Sequence, residues 1–149
     1  MDTFMKEALA LAHQAATEDE VPVGAVVVWK GQVIGRGYNR RENDQNPFAH
    51  AELLALREAS LYLASWRLNE CLLYCTLEPC LMCLAASQQA RVQEVIYGAV
   101  DHKGGALSLG YSFHQDLRMN HRFKVQHLHS SECGEILTQF FKKKRQLKV

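Results

Sequence analysis

Residues 71–88 read CLLYCTLEPCLMCLAASQ, and the change of rhythm inside this stretch decides the fold. Cys71 to Leu77 is short, apolar and bounded by polar residues, as a buried strand is. Pro79 then suits the first turn of a helix running to about Gln88, because the N–H it lacks would find no partner there. The same alternation extends outward. Ala49 to Leu63, rich in Ala, Leu and Glu, reads as a helix, and Val92 to Ala99 as a further strand. Val23–Trp29 and Val33–Tyr38 read as two strands joined through Lys30-Gly31, a tight turn, and so as a hairpin.

Asp2 to about Thr17 has Phe4, Ala8, Leu11, Ala12 and Ala15 at helical spacing. Arg40 to Pro47 is polar and turn-rich, hence a loop. Asp101 to Arg122 carries Gly104, Gly105 and Gly110 and reads as loop with one short helix; such long irregular segments are more often functional than idle. Phe123–Leu128 is the fifth strand. Ser130 to Lys144 or beyond is the last helix, with Ile136, Leu137, Phe140 and Phe141 near one face and one of the two rings expected on the sheet. A hairpin followed by helix–strand alternation predicts an α/β fold, three-layer α/β/α, around a central mixed five-stranded sheet. At 149 residues the chain is expected to form a single domain, 1–149.

The bulk composition, 48% hydrophobic and 22% charged, is that of an ordinary globular protein. The opening MDTFMKE has no apolar signal region, and no run reaches the ~18 apolar residues of a membrane span. A cytoplasmic protein with no membrane partner is therefore expected. Five cysteines, an odd number, favour reduced thiols and metal chemistry over a disulfide framework. The net charge of +1 divides unevenly. Lys142, Lys143, Lys144, Arg145 and Lys148 make the last eight residues +5, leaving a body of −4. A solvated helix end explains such a tail, and so does a polyanionic partner.

Chemistry gathers in two short blocks, His50-Ala51-Glu52 and Pro79-Cys80-Leu81-Met82-Cys83. Cys80 and Cys83, three apart at a helix start, can turn both sulfurs to one ion. The helix end also favours thiolates. If the helix beginning near His50 converges on them, one nitrogen and two sulfurs form a set that suits zinc and leaves a fourth position for water. Glu52 would lie mid-helix on the wrong face, but at a helix start it reaches the same site and can carry protons.

A lone Cys-x-x-Cys is also compatible with a redox pair or half of a structural zinc site. A structural site needs a fourth ligand, which Cys71, Cys75 or Cys133 could offer, although all three suit buried apolar positions better. His13, His102, His114, His127 and His129 read as surface or internally satisfied histidines. Trp66 suits core or surface, and Asn39 suits a turn at a strand end.

His-x-Glu with Pro-Cys-x-x-Cys is the signature of the zinc nucleobase deaminases. The likeness extends through Glu20-Val21-Pro22-Val23-Gly24-Ala25, Tyr38-Asn39, Thr76-Leu77-Glu78, Met119-Asn120-His121-Arg122 and Phe140-Phe141-Lys142, in the order seen in the bacterial tRNA-specific adenosine deaminases. The chain resembles that family over nearly its whole length, departing from it at Ala106–His114. The resemblance implies a cytidine-deaminase-like fold, one Zn²⁺ per subunit on His50, Cys80 and Cys83, and a homodimer. It implies hydrolysis of the wobble adenosine of a tRNA anticodon loop to inosine by zinc-activated water, with Glu52 as proton shuttle. Asn39 and the Ala51 backbone N–H would meet the flipped base. Arg67, Asn120, Phe141 and the basic tail would meet the anticodon stem-loop. Two rivals stand beside it: a zinc deaminase of a free base or nucleotide (guanine or cytosine derivative), and a non-catalytic zinc-stabilised RNA-binding module.

Overall fold

The computed structural model describes residues 2–147. Lys148, the last cation of the tail, lies outside them. Four α-helices and five strands follow in the order α1 (Thr3–Thr17), β1 (Gly24–Trp29), β2 (Gln32–Tyr38), α2 (Ala51–Leu63), β3 (Cys71–Leu77), α3 (Leu81–Ala90), β4 (Glu94–Ala99), β5 (Lys124–His127) and α4 (Ser131–Leu147). The strands form one sheet ordered β2-β1-β3-β4-β5. β1 pairs antiparallel with β2 and β3, while β4 pairs parallel with β3 and β5. The sheet is mixed, as expected.

Alternation along the strands feeds two cores. Ala25, Val27, Leu73, Cys75, Val95 and Tyr97 pack with Ala51, Ala55 and Leu56 of α2 and Leu84 of α3. Val26, Val28, Tyr74 and Ile96 point the other way, to Met5, Ala8, Leu9 and Ala12 of α1 and Cys133 and Ile136 of α4. Period-2 side chains with both faces apolar require a helix layer on each side. The layers are α2/α3, the sheet, and α1/α4.

Local chemistry explains some of the element ends. Asp2 caps α1, its Oδ1 accepting from the backbone N–H of Phe4 at 2.8 Å and Met5 at 3.1 Å. Lys30 (φ 50°) and Gly31 (φ 78°) both take the left-handed conformation that a two-residue hairpin turn needs. Gly37 of β2 has a different role. A methyl group there would overlap the carbonyl oxygen of Ala51, so glycine lets the first turn of α2 lie directly on the sheet.

Several expectations are corrected in detail. α3 starts at Leu81 with Cys80 as its N-cap, so Pro79 stands just before the helix, where its carbonyl accepts from Ala106 N–H at 2.9 Å. α2 likewise starts at Ala51 with His50 as N-cap. β4 starts at Glu94, because the N–H of Val92 closes a turn on Ser87. In the irregular stretch, Phe113–Gln115 is one short 3-10 turn. His114 within it is buried, and its Nδ1 has no partner, unlike the satisfied or surface histidine expected. Of the two places open to Trp66 the structure gives the surface, with 55% of the residue exposed. α4 meets the core through Cys133, Ile136 and Leu137, whereas Phe140 and Phe141 pack edge to face on each other, ring centres 5.5 Å apart.

Candidate active site

Two helices begin at one place. His50 precedes the first turn of α2 and Cys80 the first turn of α3, both with extended backbone, and neither side chain caps its own helix. Both are thereby free to face across the gap. His50 Nδ1 lies 3.6 Å from Cys80 Sγ and 3.6 Å from Cys83 Sγ. One donor atom from each of the three lies within 4.8 Å of the others, the one such grouping among the described residues.

The spacing matches zinc. A tetrahedral ion at about 2.3 Å from sulfur and about 2.05 Å from nitrogen sets its N and S ligands about 3.6 Å apart. The donor set, one imidazole and two sulfurs, is of the kind zinc prefers, and it leaves one tetrahedral position without a protein ligand. Cys75 lies in the core with its Sγ 3.8 Å from the carbonyl of Ile96, and Cys71 and Cys133 are buried, as their apolar reading predicted. None of the three joins the cluster.

Charge in the cluster is already polarised. The hydrogen bond from Cys83, then that with His50, holds Cys80 down to about 4, well below an ordinary thiol. Cys83, donating to Cys80, is pushed up. His50 is raised, first by Cys80. Cys80 is thus the more acidic of the two thiols and His50 more basic than an ordinary imidazole, and a metal ion would displace the protons they carry.

Glu52, in the first turn of α2, is 4% exposed and opens on the same cavity. Burial pushes its carboxyl up to about 7. That value suits a group that accepts and returns a proton at neutral pH. The cavity measures about 300 Å³, enough for one planar base.

Asn39, His50, Ala51, Glu52 and Cys80 line this cavity together, and Cys83 lies immediately behind it. Asn39 is held rigidly: its Nδ2 donates to Val21 O at 3.1 Å and its Oδ1 accepts from Arg41 N at 3.1 Å. One amide N–H and one lone pair remain for a ligand. Ala51 occupies the first helical position, where the backbone N–H has no partner within the helix. Arg67, Asn120 and Phe141 do not line the cavity. Arg67 lies over the Trp66 ring at 4.4 Å, with Arg91 at 5.8 Å from the same ring. Asn120 sits in a shallow depression with Gln88, Arg91 and Arg118, and Phe141 is 44% exposed on α4.

Sequence reasoning gave no role to Glu20, Glu78, Arg41 and Asp101, which also line the cavity. Glu20 and Glu78 are 1% and 2% exposed. Their sequence signal is an acid beside apolar neighbours at the edge of a buried strand, which is weak taken singly.

Residues 1–99 match the family described as the cytidine and deoxycytidylate deaminase zinc-binding region. The tRNA-specific adenosine deaminase of Bacillus subtilis (strain 168) is 43% identical over 148 residues, 99% of this chain and 92% of its own. A solved structure from studies of A-to-I editing by tRNA:A34 deaminases at the wobble position superposes with a TM-score of 0.84 at 44% identity, covering 90% of this chain and 98% of that one. The guanine deaminase of Bacillus subtilis superposes less well, with a TM-score of 0.65 at 30% identity over 97% and 95% of the two chains.

Proposed function

The chain belongs to the cytidine and deoxycytidylate deaminase family and, within it, to the tRNA-specific adenosine deaminases; from that premise we propose that it hydrolyses the wobble adenosine of a tRNA anticodon loop to inosine, releasing ammonia. It is a zinc-dependent hydrolase. The observation that carries the reading is the meeting of His50, Cys80, Cys83 and Glu52 at one base-sized cavity.

His50, Cys80 and Cys83 would hold one zinc ion per subunit. When bound, the ion supplies Lewis-acid activation of water at neutral pH. Glu52 takes the proton from the attacking water and delivers it to N1 of the adenine as C6 becomes tetrahedral. It then passes the second proton to the departing amine, so that water adds, ammonia leaves and the carboxylate is restored. Asn39 offers its remaining N–H and lone pair to the base edge, and the N–H of Ala51 offers a further donor. Burial of Glu52 keeps bulk water from competing for its proton.

An anticodon loop presents unstacked bases that can be splayed into such a cavity. Arg67, Asn120, Phe141 and the basic end of α4 lie outside it, which suits contacts to the flanking loop and stem in place of the reacting base. We read residues 1–149 as one zinc deaminase domain, acting as a cytoplasmic homodimer with RNA across both subunits. No helix of the described residues is long and apolar enough to cross a membrane.

The free-base alternative is disfavoured by the lower likeness to the guanine deaminase. The decisive experiment incubates the zinc-loaded protein with an anticodon stem-loop, free adenosine, guanine and cytidine, and follows products by mass spectrometry. Inosine in the stem-loop alone is expected. Turnover of guanine or cytidine with an unchanged stem-loop would overturn the reading.

A further inference from the structure

Two loops wall the cavity, and each hangs on one buried carboxylate. On one side, Glu20 accepts from the backbone N–H of Glu42 at 3.1 Å and of Asn43 at 2.7 Å, and from Asn43 Nδ2 at 2.7 Å. This fixes the turn-rich segment whose Arg41 and Glu42 face the cavity. On the other side, Glu78 Oε1 accepts from Asp101 N–H at 3.1 Å and Ser108 Oγ at 2.6 Å, and Oε2 from Ser108 N–H at 2.8 Å. The chain between them wraps the carboxylate so tightly that a methyl group at Gly105 would overlap it. Asp101 and Gly104 of this wrap face the cavity.

Neither carboxylate has a cation among these partners; each is held by three neutral donors from a loop 22 to 30 residues away in sequence. Burying a charge is costly unless such donors surround it. A carboxylate answers several converging N–H groups with acceptors only, whereas an amide would set its own N–H groups against them. We propose that Glu20 and Glu78 are positioning residues that lock the two walls of the cavity and so set how well the substrate nucleoside fits. Both line the cavity, but neither is one of the three candidate ligands or Glu52. The proposal rests on the adenosine deaminase reading, and it assigns selectivity to Glu20 and Glu78 where that reading assigns chemistry to Glu52.

The test compares wild type, Glu20→Gln and Glu78→Gln, with Ser108→Ala and Asn43→Ala as milder variants should a glutamine variant fail to fold. Amide hydrogen exchange should rise at 101–108 in Glu78→Gln and at 42–43 in Glu20→Gln, each leaving the opposite wall protected. With zinc content unchanged, KM for the anticodon stem-loop should rise roughly tenfold while kcat changes less than about threefold, the alanine variants moving the same way by less. Unchanged exchange at the loops would overturn the proposal. So would loosened loops with an unchanged KM, since the carboxylates would then be structural only. Inosine absent from the wild-type reaction would instead overturn the functional reading beneath it.

Discussion

His50 Nδ1 lies 3.6 Å from Cys80 Sγ although the two residues begin different helices thirty positions apart. Each is an N-cap, so the ligand geometry depends on where two helices start. His50→Ala and Cys80→Ala should therefore lose metal and activity together. Zinc measured by plasma mass spectrometry should fall well below one equivalent, and inosine formation by roughly three orders of magnitude. An active, zinc-free variant would exclude the assignment.

Glu52 should separate the two properties. Glu52→Ala leaves all three ligand atoms in place, so zinc content should stay at the wild-type level. Loss of the proton shuttle should lower kcat by about 10²- to 10⁴-fold. Full turnover in this variant would remove Glu52 from the mechanism.

Gly37 couples the sheet to the site. In Gly37→Ala the new methyl group would push the Ala51 carbonyl, and with it the first turn of α2, off the sheet. Such overpacking costs about 1–3 kcal/mol, readable in urea unfolding, and a displaced His50 should weaken zinc affinity as well. An alanine variant as stable as wild type would contradict the close approach.

His114 should make the protein acid-sensitive. Burial holds it below the usual 6.5, and its Nδ1 has no partner. Below 6.5 the unfolded chain binds a proton that the folded chain refuses, so stability rises with pH. This contribution is complete above 6.5 and is lost as pH falls through that value toward the folded one. Urea midpoints at about pH 5.5 and about pH 7.5 should differ less in His114→Phe than in wild type. An equal loss in both would clear His114 of the effect.

The basic end of α4 is not uniform. Lys144 is bound to Asp19 Oδ1 at 2.7 Å and lies 5.6 Å from the Phe140 ring, whereas Lys142, Lys143 and Arg145 are exposed. Changing those three to glutamine should weaken stem-loop binding and reduce the slope of log affinity against log salt by about 2 to 3. Lys144→Gln should cost less than any of them. An unaltered slope in the triple variant would place RNA contact elsewhere.

Much of this was legible in the sequence, for reasons that differ by element. β3 falls on Cys71–Leu77 as read, because a short apolar run ending at polar residues leaves little choice of boundary. The hairpin followed from Lys30-Gly31. The grouping of His50, Cys80 and Cys83 was legible because cysteines three apart near a helix start have a fixed spacing. Pro79 stands two positions before the first helical residue and not in the first turn, since a proline suits both places and only the capping geometry of Cys80 separates them. Trp66 was ambiguous because an aromatic beside arginine suits core and surface alike. Glu20 and Glu78 had no readable role because a buried acid is defined by donors far along the chain. His114 was missed for the converse reason: a polar residue in a glycine-rich stretch reads as solvent-facing.

The two walls hang on carboxylates placed differently relative to the candidate ligands: Glu78 stands two residues before Cys80, the N-cap of α3, whereas Glu20 lies thirty residues before His50. The layout is modular on the Glu20 side only. Exchanging 41–44 for another loop that still presents three donors to Glu20 alters the shape of the cavity and leaves the residues beside Cys80 untouched, whereas 101–108 also bonds the Pro79 carbonyl through Ala106. A designer seeking a new substrate would therefore rewrite 41–44 first.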